Sequence, residues 1–182
     1  MAELDDLNQV VGDVLELARG AEPTDHVETV ELDAVVREAI ERAERRTPSL
    51  EFSVDLNPTL IENVSERVSR AVSNVIDNAR KWSPAGGVIE VSLRGGLLTV
   101  RDHGPGFDER DVDHVFDRFY RSPHARRLPG SGLGLAIVKQ AAEARGGCAS
   151  ATNAPDGGAI VRVAFEPKLS SPRDPRRQLA RR

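Results

Sequence analysis

The chain has 182 residues, of which 39% are hydrophobic and 30% charged, with a formal net charge of −4. That leaves room for one main core plus a short appendage, excludes disordered and collagen-like classes, and offers no overall electrostatic footprint for nucleic acid. A lone Cys148 excludes an internal disulfide and a cysteine-cage metal site, and with no apolar run near the roughly 20 residues that span a bilayer, neither a leader nor a membrane segment is expected.

Apolar residues recur at Leu4, Leu7, Val11, Val14 and Ala18 with the spacing of one helical stripe, which Gly20 and Pro23 end. Residues 1–20 are therefore expected as the last turns of a helix and 21–26 as a linker. A short extended piece at 27–31 precedes a second helical pattern, Leu32, Val35, Val36, Ala39, Ile40 and Ala43, that stops before Pro48. Residues 50–56 alternate as a half-buried strand with Phe52, Val54 and Leu56 on one face. A helix is predicted from Ser65 to Trp82, ended by Pro84.

Strands at 88–93 and 97–101 are joined by Gly95-Gly96, a strong hairpin signal. A Gly-rich segment, 103–107, leads to a short helix predicted over 109–119. The stretch 121–131 holds two prolines and three arginines without apolar periodicity and reads as a mobile loop. A helix at 133–145 leads through Gly146-Gly147 to a last hairpin, 148–152 and 159–165, and the basic tail 168–182 reads as disordered. The order of elements predicts an α+β fold, a two-layer α/β sandwich whose mixed, mainly antiparallel sheet packs on helices.

Three segments carry chemistry. On the helix of residues 65–82, Asn74, Asn78 and Lys81 form a polar stripe apart from the apolar face of Val68, Ala71, Val72, Val75, Ile76 and Ala79. Positions four apart advance about 6 Å along the axis and about 40° around it, so two amides and an ammonium can reach one ligand. Amide oxygens suit Mg²⁺ and lysine suits phosphate; a solvated face is the alternative. Next, Asp102-His103-Gly104-Pro105-Gly106 follows a strand, where glycines admit a ligand to the backbone and a carboxylate can accept a hydrogen bond from an exocyclic amine. Last, Gly130-Ser131-Gly132-Leu133-Gly134-Leu135 opens a helix, a Gly-rich approach to unpaired N–H groups that suits an anion. It lacks the strand context of a dinucleotide fingerprint and the Lys-Ser/Thr ending of a P-loop.

With Phe116-Asp117-Arg118-Phe119-Tyr120-Arg121 lying between the second segment and the third, the set resembles the catalytic ATP-binding domain of bacterial sensor histidine kinases. That group is related to type II topoisomerases, Hsp90-like chaperones and mismatch-repair ATPases. The resemblance covers residues 27–167, and Trp82-Ser83-Pro84 with residues 125–134 is similar in particular to actinobacterial envelope-stress kinases. It implies the Bergerat ATP-binding fold, with ATP and Mg²⁺ as cofactors. Asn78 would hold Mg²⁺ with Asn74 nearby, Lys81 would pair with phosphate, and Arg121 would approach the γ-phosphate. Asn74, Lys81 and Arg121 would form the catalytic set. Asp102 would bond the adenine amine over a floor shaped by Gly104 and Gly106. Gly130, Gly132, Leu133 and Gly134 would meet the phosphate chain, and residues 122–129 would form a lid. Phe116 and Phe119 are expected as core anchors of that lid, and Arg126 and Arg127 as phosphate clamps or solvated loop charges.

Two departures from the family pattern stand out. Trp82 replaces the usual tyrosine after the lysine, so an indole could stack on adenine or simply close the helix. Ala159 stands where a threonine is common, removing a hydroxyl. In hydrolysing relatives a glutamate occupies the position of Asn74; an amide cannot take a proton from water, so transfer to a protein acceptor is implied. None of His26, His103, His114 and His124 has the acceptor-histidine context, so the chain is expected to be a fragment, monomeric by itself, of a longer homodimeric kinase. Its partners would be its own dimerisation and histidine phosphotransfer domain and a cognate response regulator, with no nucleic acid. It would be a cytoplasmic domain of a protein anchored in the cell membrane. The alternatives are an anti-sigma-factor-type serine kinase and a non-catalytic nucleotide-sensing module.

Overall fold

The structure, a computed structural model, describes residues 26–122, 125 and 130–168. The expected N-terminal helix and linker, most of the expected lid and nearly all of the basic tail therefore lie outside the described residues. Among those described, the elements are β1 (Glu28–Glu31), α1 (Leu32–Arg46), β2 (Glu51–Leu56), β3 (Leu60–Asn63), α2 (Ser65–Trp82), β4 (Val88–Arg94), β5 (Leu97–Arg101), α3 (Gly134–Glu143), β6 (Cys148–Asn153) and β7 (Ala159–Ala164).

Five strands form one sheet in the order β2-β4-β5-β7-β6, antiparallel except for the parallel pair β2–β4. The chain passes from β2 through α2 to β4, one crossover unit inside an otherwise antiparallel sheet. The mixed, mainly antiparallel sandwich expected from the element order is what forms. Alternation decides which face is covered: Ile89, Val91 and Leu93 of β4, Leu98 and Val100 of β5, and Val161 and Val163 of β7 are buried, while Glu90, Arg94 and Leu97 between them are exposed. The buried face packs with Val36, Ala39 and Ile40 of α1, Val68, Val72, Val75 and Ile76 of α2, and Val138, Ala141 and Ala142 of α3 in one core. β2 is an edge strand with little cover, and Val54 on its inner face is 44% exposed.

The predicted bounds of α2 match the structure at both ends. Gly95 and Gly96, both at positive φ, make the two-residue turn between β4 and β5 that the right-handed strand twist favours.

Two expectations fail. β3 has no counterpart in the sequence reading; four residues long, it pairs with β1 as a separate two-stranded sheet and adds one antiparallel bridge from Ile61 to Pro167, and so short a run has no period to detect. The helix predicted over 109–119 is instead a run of tight turns around a short 3₁₀ segment, Val112–His114. Its backbone bonds, from Asp111 to Asp108, His114 to Asp111, Asp117 to His114 and Tyr120 to Asp117, all reach back three residues, not four. Phe119 then turns to φ 65°, which no helix continues through.

Candidate functional site

The site is assembled at the C-terminal end of β5, along the polar side of α2 and at the start of α3. Asp102 leaves β5 directly and is 2% exposed. Its Oδ1 accepts from the N–H of Gly104 at 2.9 Å and from the N–H of Ala159 at 3.2 Å. Burial pushes its carboxyl above the ordinary value of 3.8, and those two N–H groups only partly offset the shift. Both bonds fall on one oxygen, so the carboxylate is held rigidly while its second oxygen keeps acceptor capacity.

Gly104 sits where a Cβ would stand 2.3 Å from the carbonyl oxygen of Trp82, which joins this loop to the end of α2. At the last turn of that helix Lys81 Nζ lies 5.7 Å from the centre of the Trp82 ring, within cation–π range. The indole is half-buried at the helix end, a position compatible with either role expected of it.

Three alternate glycines of the Gly-rich box each stand against one of the polar residues predicted for the site. A Cβ on Gly130 would be 3.1 Å from Lys81 Nζ, one on Gly132 would be 2.9 Å from Arg121 Cγ, and one on Gly134 would be 3.5 Å from Asn74 Oδ1. The fold thus gathers residues 74, 81 and 121 onto one short segment, although 49 and 60 positions separate Lys81 and Asn74 from the glycines they meet. Gly132 must be glycine for a second reason: its φ is +74° and a side chain would strike the carbonyl oxygen of Tyr120 at 2.8 Å. The segment is also pinned where the Phe119 N–H donates to the Gly132 carbonyl at 3.0 Å.

Asn74, on the polar stripe of α2, is nonetheless buried, with its Nδ2 unpartnered. An unsatisfied NH2 of this kind is costly unless an acceptor meets it, as a phosphate oxygen would; it is the amide oxygens of Asn74 and of Asn78, half-buried one turn further along, that suit a hard cation. Among the described residues no group of three or more His, Cys, Asp or Glu side chains gathers as a cation site. A Mg²⁺ ion here would therefore draw on amide and phosphate oxygens, and the residues present fit that. The Arg121 guanidinium donates to the Ala125 carbonyl, within the predicted lid.

Leu133, expected to meet phosphate, has its side chain fully buried against Ile137, and its N–H donates to Ser131 Oγ at 3.2 Å; it anchors the box. Phe116 packs partly buried against the core as expected, but Phe119, at φ 65°, is 67% exposed and lies outside the core formed by the described residues. His103 bonds Glu90 at 2.9 Å and His114 bonds Asp117 at 2.9 Å, ordinary surface contacts.

The sequence reading missed the last hairpin's share in the site. Ala159, singled out only for a lost hydroxyl, supplies a backbone N–H to Asp102, and the Gly158 backbone lies so close that a Cβ there would be 1.9 Å from the Asp102 carbonyl oxygen. Asn153 was also missed. Its partner Phe107 is 46 positions away, and no local pattern announces a backbone donor or a clamp at that separation.

Residues 63–169 match the family described as histidine kinase-, DNA gyrase B- and HSP90-like ATPases. The chain belongs to this ATPase family. Among curated proteins it is similar to the signal transduction histidine-protein kinase/phosphatase MprB of Mycobacterium avium, 41% identical over 152 residues, which cover 81% of this chain and 29% of that protein. The MprB of Mycobacterium leprae is 41% identical over the same shares. Among solved structures, the mycobacterial sensor histidine kinase MprB superposes with a TM-score of 0.71 at 36% identity, covering 79% of this chain and 99% of the other. The ATP-binding domain of PrrB from Mycobacterium tuberculosis does so with a TM-score of 0.62 at 28% identity, covering 79% and 99%. The fold is therefore that of histidine kinase catalytic domains, the Bergerat fold, and the chain spans less than a third of the MprB relatives it matches. Among the described residues no helix is long and apolar enough to cross a membrane.

Proposed function

We propose that this domain binds Mg-ATP and passes the γ-phosphoryl group to a histidine on the dimerisation hairpin of a longer sensor kinase, as one step of two-component signalling. The observation that carries the reading is the seating of Lys81, Arg121 and Asn74 against Gly130, Gly132 and Gly134, beside the loop that leads from the buried acceptor Asp102. A base-binding carboxylate and a phosphate-binding strip thus share one surface. Asp102 would accept the adenine amine, Lys81 and Arg121 would neutralise phosphate charge, and backbone N–H groups at the start of α3 would face phosphate oxygens. Asn78 and Asn74 would hold Mg²⁺, which when bound would offset phosphate charge.

An amide at position 74 has no basic lone pair for the proton of an attacking water. That supports transfer over hydrolysis, since phosphoryl transfer needs chiefly positioning and charge neutralisation. The acceptor hairpin, the response regulator, the homodimeric parent, its membrane anchorage and the cytoplasmic placing of this domain belong to the same proposal, and the names of the MprB relatives support it.

The test supplies the chain with a separate histidine hairpin and γ-labelled ATP. Acid-labile, base-stable label on the hairpin is expected. Acid-stable label would point to a serine kinase, and prompt phosphate release without any acceptor would point to a hydrolase.

A further inference from the structure

The loop that carries the base-binding carboxylate is an arch pinned at both ends by one hairpin turn. At its first foot the Asp102 N–H donates to the Ala159 carbonyl at 3.0 Å, and the Ala159 N–H returns to Asp102 Oδ1. At its second foot a side chain does the same work: Asn153 Oδ1 accepts from the Phe107 N–H at 2.7 Å, and Asn153 Nδ2 donates to the Phe107 carbonyl at 2.8 Å. The amide thus satisfies the donor and the acceptor of a single residue, a pairing that a strand neighbour would otherwise make. Between the feet, Gly106 has φ +75° and comes so near that a Cβ would be 2.7 Å from Asn153 Oδ1. The turn between the pins is closed on itself, with the Ala154 N–H on the Gly158 carbonyl at 2.9 Å and the Gly157 N–H on the Ala154 carbonyl at 3.0 Å. Asp156, at its tip, pairs at 2.5 Å with Arg101, the residue before Asp102.

We infer that Asn153 is a positioning residue for base recognition: through Phe107 it fixes the span of the 102–107 arch and so the place of Gly104, whose N–H orients the Asp102 carboxylate. The inference rests on the proposed binding of ATP at Asp102. Asn153 bonds the arch at Phe107, the segment that carries Asp102, so its influence should fall on the base more than on the phosphates. Only an amide serves here. A carboxylate would keep the bond from the Phe107 N–H but turn an acceptor towards the Phe107 carbonyl, and alanine would lose both bonds.

The test titrates ADP, without metal, into the wild-type chain and into Asn153→Ala and Asn153→Asp, well below each melting temperature, while following Phe107 amide exchange. Expected are a loss of ADP affinity of about fivefold for Asn153→Ala, the size of one to two exposed hydrogen bonds, a smaller loss for Asn153→Asp, and faster Phe107 exchange in the alanine variant. The enhancement of ATP affinity by Mg²⁺ should be the same in every variant that folds. A purely structural role would lower the melting temperature and leave ADP affinity within experimental error of wild type; that result overturns the inference, as would an equal loss of Mg²⁺ enhancement. If Asn153→Ala does not fold, Asn153→Asp alone decides, by weakened or unchanged ADP affinity. Should the wild type bind no ADP, the nucleotide reading itself fails, an outcome distinct from any difference between variants.

Discussion

Around Asp102 the hydrogen bonds come from backbone groups of strands and turns and from one short amide, so the polar atoms stand where the sheet puts them. Along α2 and the Gly-rich box the polar atoms sit on longer side chains, Lys81 and Arg121, and on Asn74, whose amide keeps an unpartnered nitrogen. On the proposed binding mode, the first region would tell one base edge from another through an acceptor held in place by backbone bonds. The second would follow a flexible, highly charged chain of phosphates with cations on longer side chains. A flat base is best read by fixed geometry, and phosphate charge is best met by groups that adapt. Discrimination should therefore be lost by small chemical changes at Asp102, and charge-dependent affinity by changes on α2.

The largest effect is expected for Asp102→Asn. The amide retains an acceptor for the Gly104 and Ala159 N–H groups but presents a donor to the adenine amine, so ADP affinity should fall by about a hundredfold, the cost of a mismatched buried polar pair. Folding should not suffer. Burial raises the carboxyl pKa, so the stability linked to its proton is complete only below the unfolded value and is lost as pH rises through the folded one. A neutral amide removes that burden at neutral pH, and the melting temperature should stay level or rise. A lower melting temperature with unchanged ADP affinity would make Asp102 a scaffold residue.

Asn78→Ala is next, and it probes the other region. It should abolish most of the gain in ATP affinity on adding Mg²⁺, about tenfold, while binding of metal-free ADP stays near wild type. Equal Mg²⁺ enhancement in the variant would remove Asn78 from the metal site.

A smaller, purely steric contrast is available in the turn behind Asp102. Gly157 and Gly158 both have positive φ, yet a Cβ on Gly157 meets nothing within 4 Å whereas one on Gly158 would strike the Asp102 carbonyl oxygen. Both alanine variants should be strained, and Gly158→Ala should melt at least a few degrees lower than Gly157→Ala, because it adds a backbone clash to the shared φ penalty. Similar melting curves for the two would mean that the turn yields easily and is not the rigid back of the site. The mildest effect is that of pH on the wild type. With its pKa raised, Asp102 takes up a proton at a higher pH than an ordinary aspartate, so ADP affinity should weaken on acidification before the usual aspartate range is reached, and a titration of Asp102→Asn should lack that step.

Much of this site is legible in the sequence because its chemistry is written in short spacings. The stripe of Asn74, Asn78 and Lys81 follows from helical periodicity, and the helix bounds from the residues at its ends. The turn at Gly95-Gly96 follows from the φ angles that only glycine adopts freely. The Gly-rich box is legible as an anion site, but the pairing of its glycines with Lys81, Arg121 and Asn74 is not, since the packing of α3 on α2 brings Lys81 and Asn74 to it and the bond from the Phe119 N–H to Gly132 brings Arg121. The failed helix over 109–119 shows the opposite error, a local pattern overruled when three-residue turns and the reversal at Phe119 gave the chain another route.

The amino-acid sequence by itself determined most of the described elements, though not β3 or the turns at 109–119, together with the apolar face of α2, the identity of the polar groups and, through the order of its motifs, the family. Tertiary structure alone decided the parallel pairing of β2 with β4 and the arrival of Ala159, 57 positions away, on the Asp102 carboxylate. It also decided that Asn153 would clamp Phe107. Contacts within a turn of helix or a hairpin are set by residues that are already neighbours, whereas these contacts form only after the long loops between them have closed, and what repays that closure is burial of the shared core, which no spacing records.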